Sequence, residues 1–319
     1  GFSYIYGMTG TTDLQQIQQR FVPDENGVAA AVDPWLMFGV IVLLVGLAFK
    51  IAAFPMHFYA GDVYQGAATP VTAFLAFTPK AAGFVAIIKV LFVAGGGVWV
   101  ASQTLVSLLS VLAVLTMFVG NVLGLLQYNV KRVLAYSSIE HSGYMLVGLT
   151  ALIAAAWMPG VNDVRQVQID ALQGVLFYLA AYGVMNAGAF GVLMLLPSRD
   201  ASISGEAARG SSAETFEDLA GTGRRHPGLG LAMAICCFSL TGLPLTIGFF
   251  GKAYLILPAL KAKLVGLVIL LVINAAISAG YYLRIVATMF LRTEPAVEEG
   301  QAPAPRPAVR LPVPVLASI

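Results

Sequence analysis

Stretches of apolar residues long enough to cross a lipid bilayer recur along this chain, and they leave few folds open to it. About 20 consecutive apolar residues span the hydrocarbon core as a helix. Runs of that kind fall at about 33–61, 69–93, 98–126, 133–158, 170–196, 228–260 and 262–291, with shorter pieces at 1–8 and 311–319. Membrane β-strands would need alternating segments of about 10 residues, and none of these runs alternates. Only 11% of the residues are charged, where soluble domains carry roughly 25%. The expected fold class is therefore all-α: a polytopic transmembrane helical bundle forming a single domain over 1–319. GFSYIYGM reads as the end of a helix and LPVPVLASI as the start of another, so the chain is expected to be a fragment, truncated at both ends.

Polar loops separate the runs, at Asp13–Ala31, Leu126–Arg132, Pro159–Asp170 and Ser198–Pro227, and TEPAVEEGQAPAPRPAVR reads as a linker. Lys and Arg in short loops favour the cytoplasmic side. Loops near 62–68, 127–132, 198–227 and 292–310 hold nine of them, against four near 9–32, 94–97, 159–169 and 261–263, which places the first set in the cytoplasm. The net charge of +2 comes with no basic run of the kind that binds nucleic acid. Cys236 and Cys237 are adjacent in an apolar run and read as small core residues. No His or Cys cluster has metal-ligand spacing.

Charge inside the spans is the informative departure. Lys50, Lys80 and Lys252 sit within spans, where a lysine at mid-bilayer costs about 2.5–3.5 kcal/mol. Burial narrows the gap between the charged and neutral amine, so proton uptake and release can both become feasible. Snorkelling to the interface, the plain alternative, suits Lys89 near the end of its span. It suits Lys50 and Lys80 poorly, because long apolar flanks lie on both sides. Two spans are also interrupted: Pro55 follows Lys50 in KIAAFPMHFYAGD, and Pro244 precedes Lys252 in SLTGLPLTIGFFGKAY. Broken helices at membrane depth occur where neighbours or water answer the freed backbone groups, and they are typical of transporter ion sites. Asp62 and Lys252 follow the two prolines at similar distances, a hint of internal duplication. His57 lies in the first break and is able to titrate near neutrality. In AYSSIEHSGYM, Glu140 and His141 point about 100° apart, so His141 is expected to face the bundle axis, with Glu140 as an interfacial partner. Arg284 is read as ordering a helix contact, and small-residue pairs such as GVMNAGAFG as packing surfaces.

At these residues the chain resembles a known family. FKIAAFPMHFYAGDVYQGAATPVTAFLAFTPKAAGF, NVKRVLAYSSIEHSGYMLVGL and EDLAGTGRRHP followed by SLTGLPLTIGFFGKAYL are similar to N-type antiporter-like membrane subunits of respiratory complex I (NADH–quinone oxidoreductase), the counterparts of mitochondrial NADH dehydrogenase subunit 2. The resemblance covers residues 1–291. It implies an antiporter-like fold of inverted repeats with two discontinuous helices and a hydrophilic axis along the membrane plane. It also implies proton transfer through lysines at the positions of Lys50, Lys80 and Lys252, with helix breaks at Pro55 and Pro244. His57, His141 and Glu140 are candidate relay groups, although Glu140 matches no family residue and takes no family role. The family's first lysine pairs with a glutamate on an earlier helix, which would lie upstream of Gly1.

The implied function is a proton-translocating subunit of the respiratory electron transport chain, in a bacterial inner (plasma) membrane. Its partners would be the other membrane-arm subunits, protons and internal water, and the lipid bilayer. No cofactor or metal is expected on this chain: the complex uses NADH and a quinone, with flavin and iron–sulfur centres in other subunits. Multi-subunit cation/proton antiporters and membrane-bound hydrogenases share the lysine and broken-helix pattern, and DVYQGA favours complex I over them. Outside transport, a membrane transferase would want paired aspartates for a metal–diphosphate, and no span contains D-x-x-x-D. A purely structural scaffold leaves three interior lysines unexplained.

Overall fold

The computed structural model describes residues 1–21, 34–95, 103–196 and 214–292. The expected partial helix at 311–319, the linker before it, the start of the third span at 98–102 and loop residues 198–213 lie outside the described residues. Because the bilayer interior offers backbone groups no partner, each membrane segment must satisfy its own hydrogen bonds, and every regular element among the described residues is a helix. In order the helices are α1 (Phe2–Thr9), α2 (Leu14–Gln19), α3 (Pro34–Lys50), α4 (Ala60–Gly66), α5 (Thr69–Ala94), α6 (Gln103–Leu125), α7 (Val130–Ala154) and α8 (Val164–Leu195). They continue as α9 (Phe216–Leu219), α10 (Thr222–Arg225), α11 (Pro227–Thr241), α12 (Ile247–Lys261) and α13 (Val265–Phe290).

Three stretches expected as loops are helical where a side chain caps the first turn. Asp13 accepts from the Gln15 amide at 2.8 Å and starts α2. Asp163 accepts from Gln166 at 3.2 Å, so α8 begins before the expected 170. Thr215 and Asp218 form a capping box that starts α9, and Phe216 and Leu219 bury themselves beneath it. That end of the Ser198–Pro227 loop is therefore docked.

α5, α6, α8 and α13 are long and apolar enough to cross a membrane. α7 is as long but far more polar, and nearly all of it is buried. It packs against α4, α5, α6, α8, α12 and α13, so its polar groups face protein, not lipid. Glycines bring α6 unusually close: a Cβ on Gly120 would stand 2.7 Å from the Glu140 amide nitrogen, and one on Gly143 would stand 2.8 Å from that of Met117.

The interior is layered. One apolar cluster gathers Phe84–Leu91 of α5, Leu105–Met117 of α6, Tyr144–Ala154 of α7 and Leu267–Leu271 of α13. A second gathers Ala76, Val130–Ala135, the far half of α8 and Tyr281–Met289. Between them along α5, α7 and α13 lie buried Lys80, Ser137, Ser138, Glu140, His141, Ser142, Asn274 and Ser278, and buried Asn121 of α6 and Lys252 of α12 lie beside the first cluster. Outward-facing positions on α6 and α13, such as Val111, Phe118, Ile269 and Val272, are apolar. The bundle is greasy outside and at both ends of its core, and polar across the middle.

The described parts of three of the loops counted together, near 62–68, 127–132 and 214–216, meet at one end. Lys131 pairs with Glu214 at 2.5 Å and Arg132 with Asp62 at 2.5 Å. The Arg284 guanidinium lies 4.2 Å from the Phe216 ring and donates to Gln127 O at 3.2 Å, so it ties α13 to two loops. At the opposite end Lys261 pairs with Asp170 at 2.7 Å, which offsets one of the lysines counted against the charge asymmetry. Asp62 is the exposed partner of Arg132, with 76% of its side chain accessible. Its setting differs from that of buried Lys252, because α4 ends at the surface while α12 runs through the core.

Candidate functional site

The first interruption starts earlier than the proline that marks it. α3 ends at Lys50, and Ile51–Tyr59 connect it to α4. Ala52 takes a φ of 56°, and the peptide bond before Pro55 is cis. Freed backbone groups are answered by side chains: the Phe54 amide donates to Thr116 Oγ1 at 3.1 Å, and Ser142 Oγ donates to Ile51 O at 2.9 Å. Tyr59 OH donates to Phe49 O at 3.0 Å. The break is thus pinned by α6 and α7, as irregular backbone at membrane depth requires.

Lys50, expected in the interior, is exposed. It is the last residue of α3, with its Cγ 3.6 Å from where a Cβ on Gly83 of α5 would stand, and Val42, Val45 and Phe49 on the same helix are exposed as well. His57 sits in the break with its ring stacked 5.6 Å from Phe54, and its Nδ1 is buried without a hydrogen-bond partner. Among the described residues, neither is hydrogen-bonded to Lys80, Glu140, His141 or Lys252.

Lys80 and Lys252 are in the interior, 2% and 5% exposed. Lys80 Nζ donates to Ser138 O and, at 3.0 Å, to Ser142 Oγ. Because Ser142 also bonds Ile51 O, one hydroxyl links the buried ammonium to the first break. Lys252 relates to the second break in a similar way. α11 stops at Thr241, Gly242 takes the left-handed conformation at φ 87°, and Pro244 lies in the connection before α12. Lys252 Nζ reaches back to Thr241 O at 2.7 Å. A cation there answers an orphan carbonyl and faces the negative end of the half-helix dipole. Across the same break Gly248 passes so close that a Cβ would stand 1.7 Å from Ser239 O.

Aromatic rings join the two amines. Lys80 Nζ lies 5.9 Å from the Tyr182 centroid, and Tyr182 lies 5.0 Å from the His141 ring. His141 is 5.7 Å from Tyr144, over which Lys252 Nζ sits at 4.6 Å. Both His141 ring nitrogens are hydrogen-bonded, Nδ1 with Tyr178 OH at 2.6 Å and Nε2 with Tyr282 OH at 3.0 Å. His141 therefore faces the bundle axis as expected.

Glu140 does not go to the interface. It is 0% exposed, because α7 is enclosed on every side and consecutive residues both meet protein. Its two oxygens accept from the Tyr144 and Tyr281 hydroxyls. Tyr281 OH also lies 3.2 Å from Asn121 Oδ1, and Asn121 Nδ2 donates to Asn274 Oδ1 at 2.9 Å. Sequence reasoning missed these tyrosines. The signal for some of them was available: Tyr178, Tyr182 and Asn186 recur at a spacing of four, a polar stripe on an apolar helix.

Chemically, this layer sets two amines, an imidazole, a carboxylate and several phenols near one another, from Lys80 beside the first break to Lys252 beside the second.

Residues 1–278 match the family model described as NADH:quinone oxidoreductase/Mrp antiporter, TM. A protein of Sorangium cellulosum named NADH-quinone oxidoreductase subunit N 1 is 42% identical over 300 residues, covering 93% of this chain and 54% of its own length. Subunit N of Myxococcus xanthus is 40% identical over 307 residues, with 92% and 57% covered. The chain thus spans about half the length of the curated relatives it matches. Among solved structures, a chain of respiratory complex I from Thermus thermophilus with bound aureothin superimposes with a TM-score of 0.70 at 32% identity, over 99% of this chain and 58% of that one. A chain of the Mrp complex from a Dietzia species superimposes at 0.72 with 21% identity over 92% and 48%, a likeness of fold.

Proposed function

Because this chain belongs to the NADH:quinone oxidoreductase/Mrp antiporter membrane family, we propose that it forms part of an N-type membrane-arm subunit that moves protons in NADH–quinone oxidoreductase. A charge or conformational signal from the redox part of the complex reaches Lys50 and changes its proton affinity by the local-charge effect. The proton passes to Lys80, through the layer of Tyr182, His141 and Tyr144, to Lys252, which exchanges it with one side of the membrane. One unit of proton affinity corresponds to about 1.4 kcal/mol, so modest charge displacement reverses uptake and release. The relatives are nearly twice as long as this chain, which leaves room for a further helix to bury Lys50 beside an acidic partner. NADH, quinone, flavin and iron–sulfur centres belong to the rest of the complex. The location is a bacterial inner membrane with the Lys131/Arg132 end in the cytoplasm.

The observation that carries this reading is the pair of buried amines, Lys80 and Lys252, joined by one polar layer between two apolar clusters. Buried ammonium groups cost several kcal/mol each and bring a scaffold nothing. The transport alternative, a cation/proton antiporter subunit, is disfavoured by relatives named subunit N at 42% and 40% identity over more than nine tenths of this chain. Lys80→Met in the full-length subunit should leave the complex assembled, while NADH-driven acidification of inverted membrane vesicles falls sharply. Unchanged pumping per NADH oxidised would remove Lys80 from the path.

A further inference from the structure

Glu140 takes no part in the lysine path as drawn, yet it is the only fully buried carboxylate among the described residues. An ionisable group at membrane depth is costly and needs a named partner. Its partner is identifiable. Tyr144 donates its hydroxyl to one Glu140 oxygen and carries the Lys252 ammonium 4.6 Å over its ring. One aromatic side chain thus holds both charges. A desolvated ammonium over a ring gains up to about 2 kcal/mol, and a carboxylate accepting hydroxyls gains charge-assisted bonds. Neither offsets burial of a lone ion, but each charge offsets the other.

The second Glu140 oxygen is held on the opposite side by Tyr281, which adjoins Asn121 and, through it, Asn274. These groups form a polar limb that leaves the lysine path and runs between α6 and α13. A purely structural carboxylate would not need one oxygen on each of two polar chains.

We infer that Glu140 is the counter-charge of Lys252 within this chain and a second proton-holding station, placed where the Tyr281–Asn121–Asn274 limb branches from the lysine path. With Lys252 as ammonium and Glu140 as carboxylate the pair is neutral. A proton arriving on a hydronium ion breaks one O–H bond of that carrier, forms one O–H bond on Glu140 and leaves the pair cationic between two apolar clusters, a state that favours passing the proton on. The Glu140 O–H bond then breaks as a water molecule takes the proton, and the neutral pair returns. This rests on the proton-translocation reading above.

The test uses the full-length subunit in its assembled complex, with pumping per NADH oxidised read in inverted vesicles and assembly read on native gels. Glu140→Gln keeps volume and an acceptor for the tyrosines but removes the charge. Pumping per NADH should fall several-fold, with Glu140→Gln/Lys252→Gln no worse than Lys252→Gln alone. Wild-type pumping in Glu140→Gln with loss in Lys252→Gln overturns this inference and leaves the lysine path standing. Wild-type pumping in both overturns the two together. If Glu140→Gln fails to assemble, the double variant decides: recovered assembly means the charges compensate one another, and continued failure overturns the pairing.

Discussion

Ser142→Ala is the most discriminating single change to the layer. Ser142 Oγ lies 3.0 Å from Lys80 Nζ and donates to Ile51 O at 2.9 Å, with Ser138 O at 3.1 Å. Removing it deprives the Lys80 amine of one acceptor. A hydrogen bond to a charged group contributes about 1.5–3 kcal/mol and one to a neutral group about 0.5–1.5. The two protonation states of Lys80 are therefore affected unequally, by about 1–1.5 kcal/mol. That difference corresponds to roughly a tenfold change in proton affinity. Ile51 O also loses a partner, a burial penalty of about 1–3 kcal/mol that weakens the break. The two consequences separate in a double-variant cycle. NADH-driven pumping by Ser142→Ala should drop about tenfold per assembled complex, and the drop should vanish in a Lys80→Met background, where no amine remains to solvate. Pumping at the wild-type level, or an undiminished further loss in the Lys80→Met background, would refute the role given to this hydroxyl.

The packing makes two other expectations. Gly143→Ala places a methyl 2.4 Å from Met117 Cγ and 2.8 Å from the Met117 amide nitrogen, so overpacking should cost about 1–3 kcal/mol, read as a lower melting temperature of the purified complex. Asp62→Asn removes an ion pair whose carboxylate is 76% exposed, so stability should change by less than about 1 kcal/mol, and a larger loss would mean that the Arg132 contact is shielded in the assembled subunit.

The breaks illustrate how local chemistry was readable and long-range chemistry was not. Pro55 and Pro244 lie in the two interruptions, where a missing N–H suits a break, while Pro79 and Pro258 are held inside continuous helices by their packing. The first break begins at Ile51 all the same, and the reason lies far along the chain, in Thr116 and Ser142. His141 was assigned to the axis and is there, held by Tyr178 and Tyr282, whose part in the site depends on α8 and α13 packing beside α7.

Apolar run length, the interior lysines and the two prolines were enough to establish a helical membrane bundle with interrupted spans, since helix geometry and the bilayer's refusal of unpaired backbone leave no other outcome. Tertiary structure alone decided that Lys80 and Lys252 are enclosed while Lys50 is exposed, and that Glu140 is as fully buried as His141. The physical reason is that sequence spacing tells which side chains share a helix face, whereas burial depends on whether another helix covers that face. α7 is covered all round, so every polar residue on it had to find its partner inside the protein.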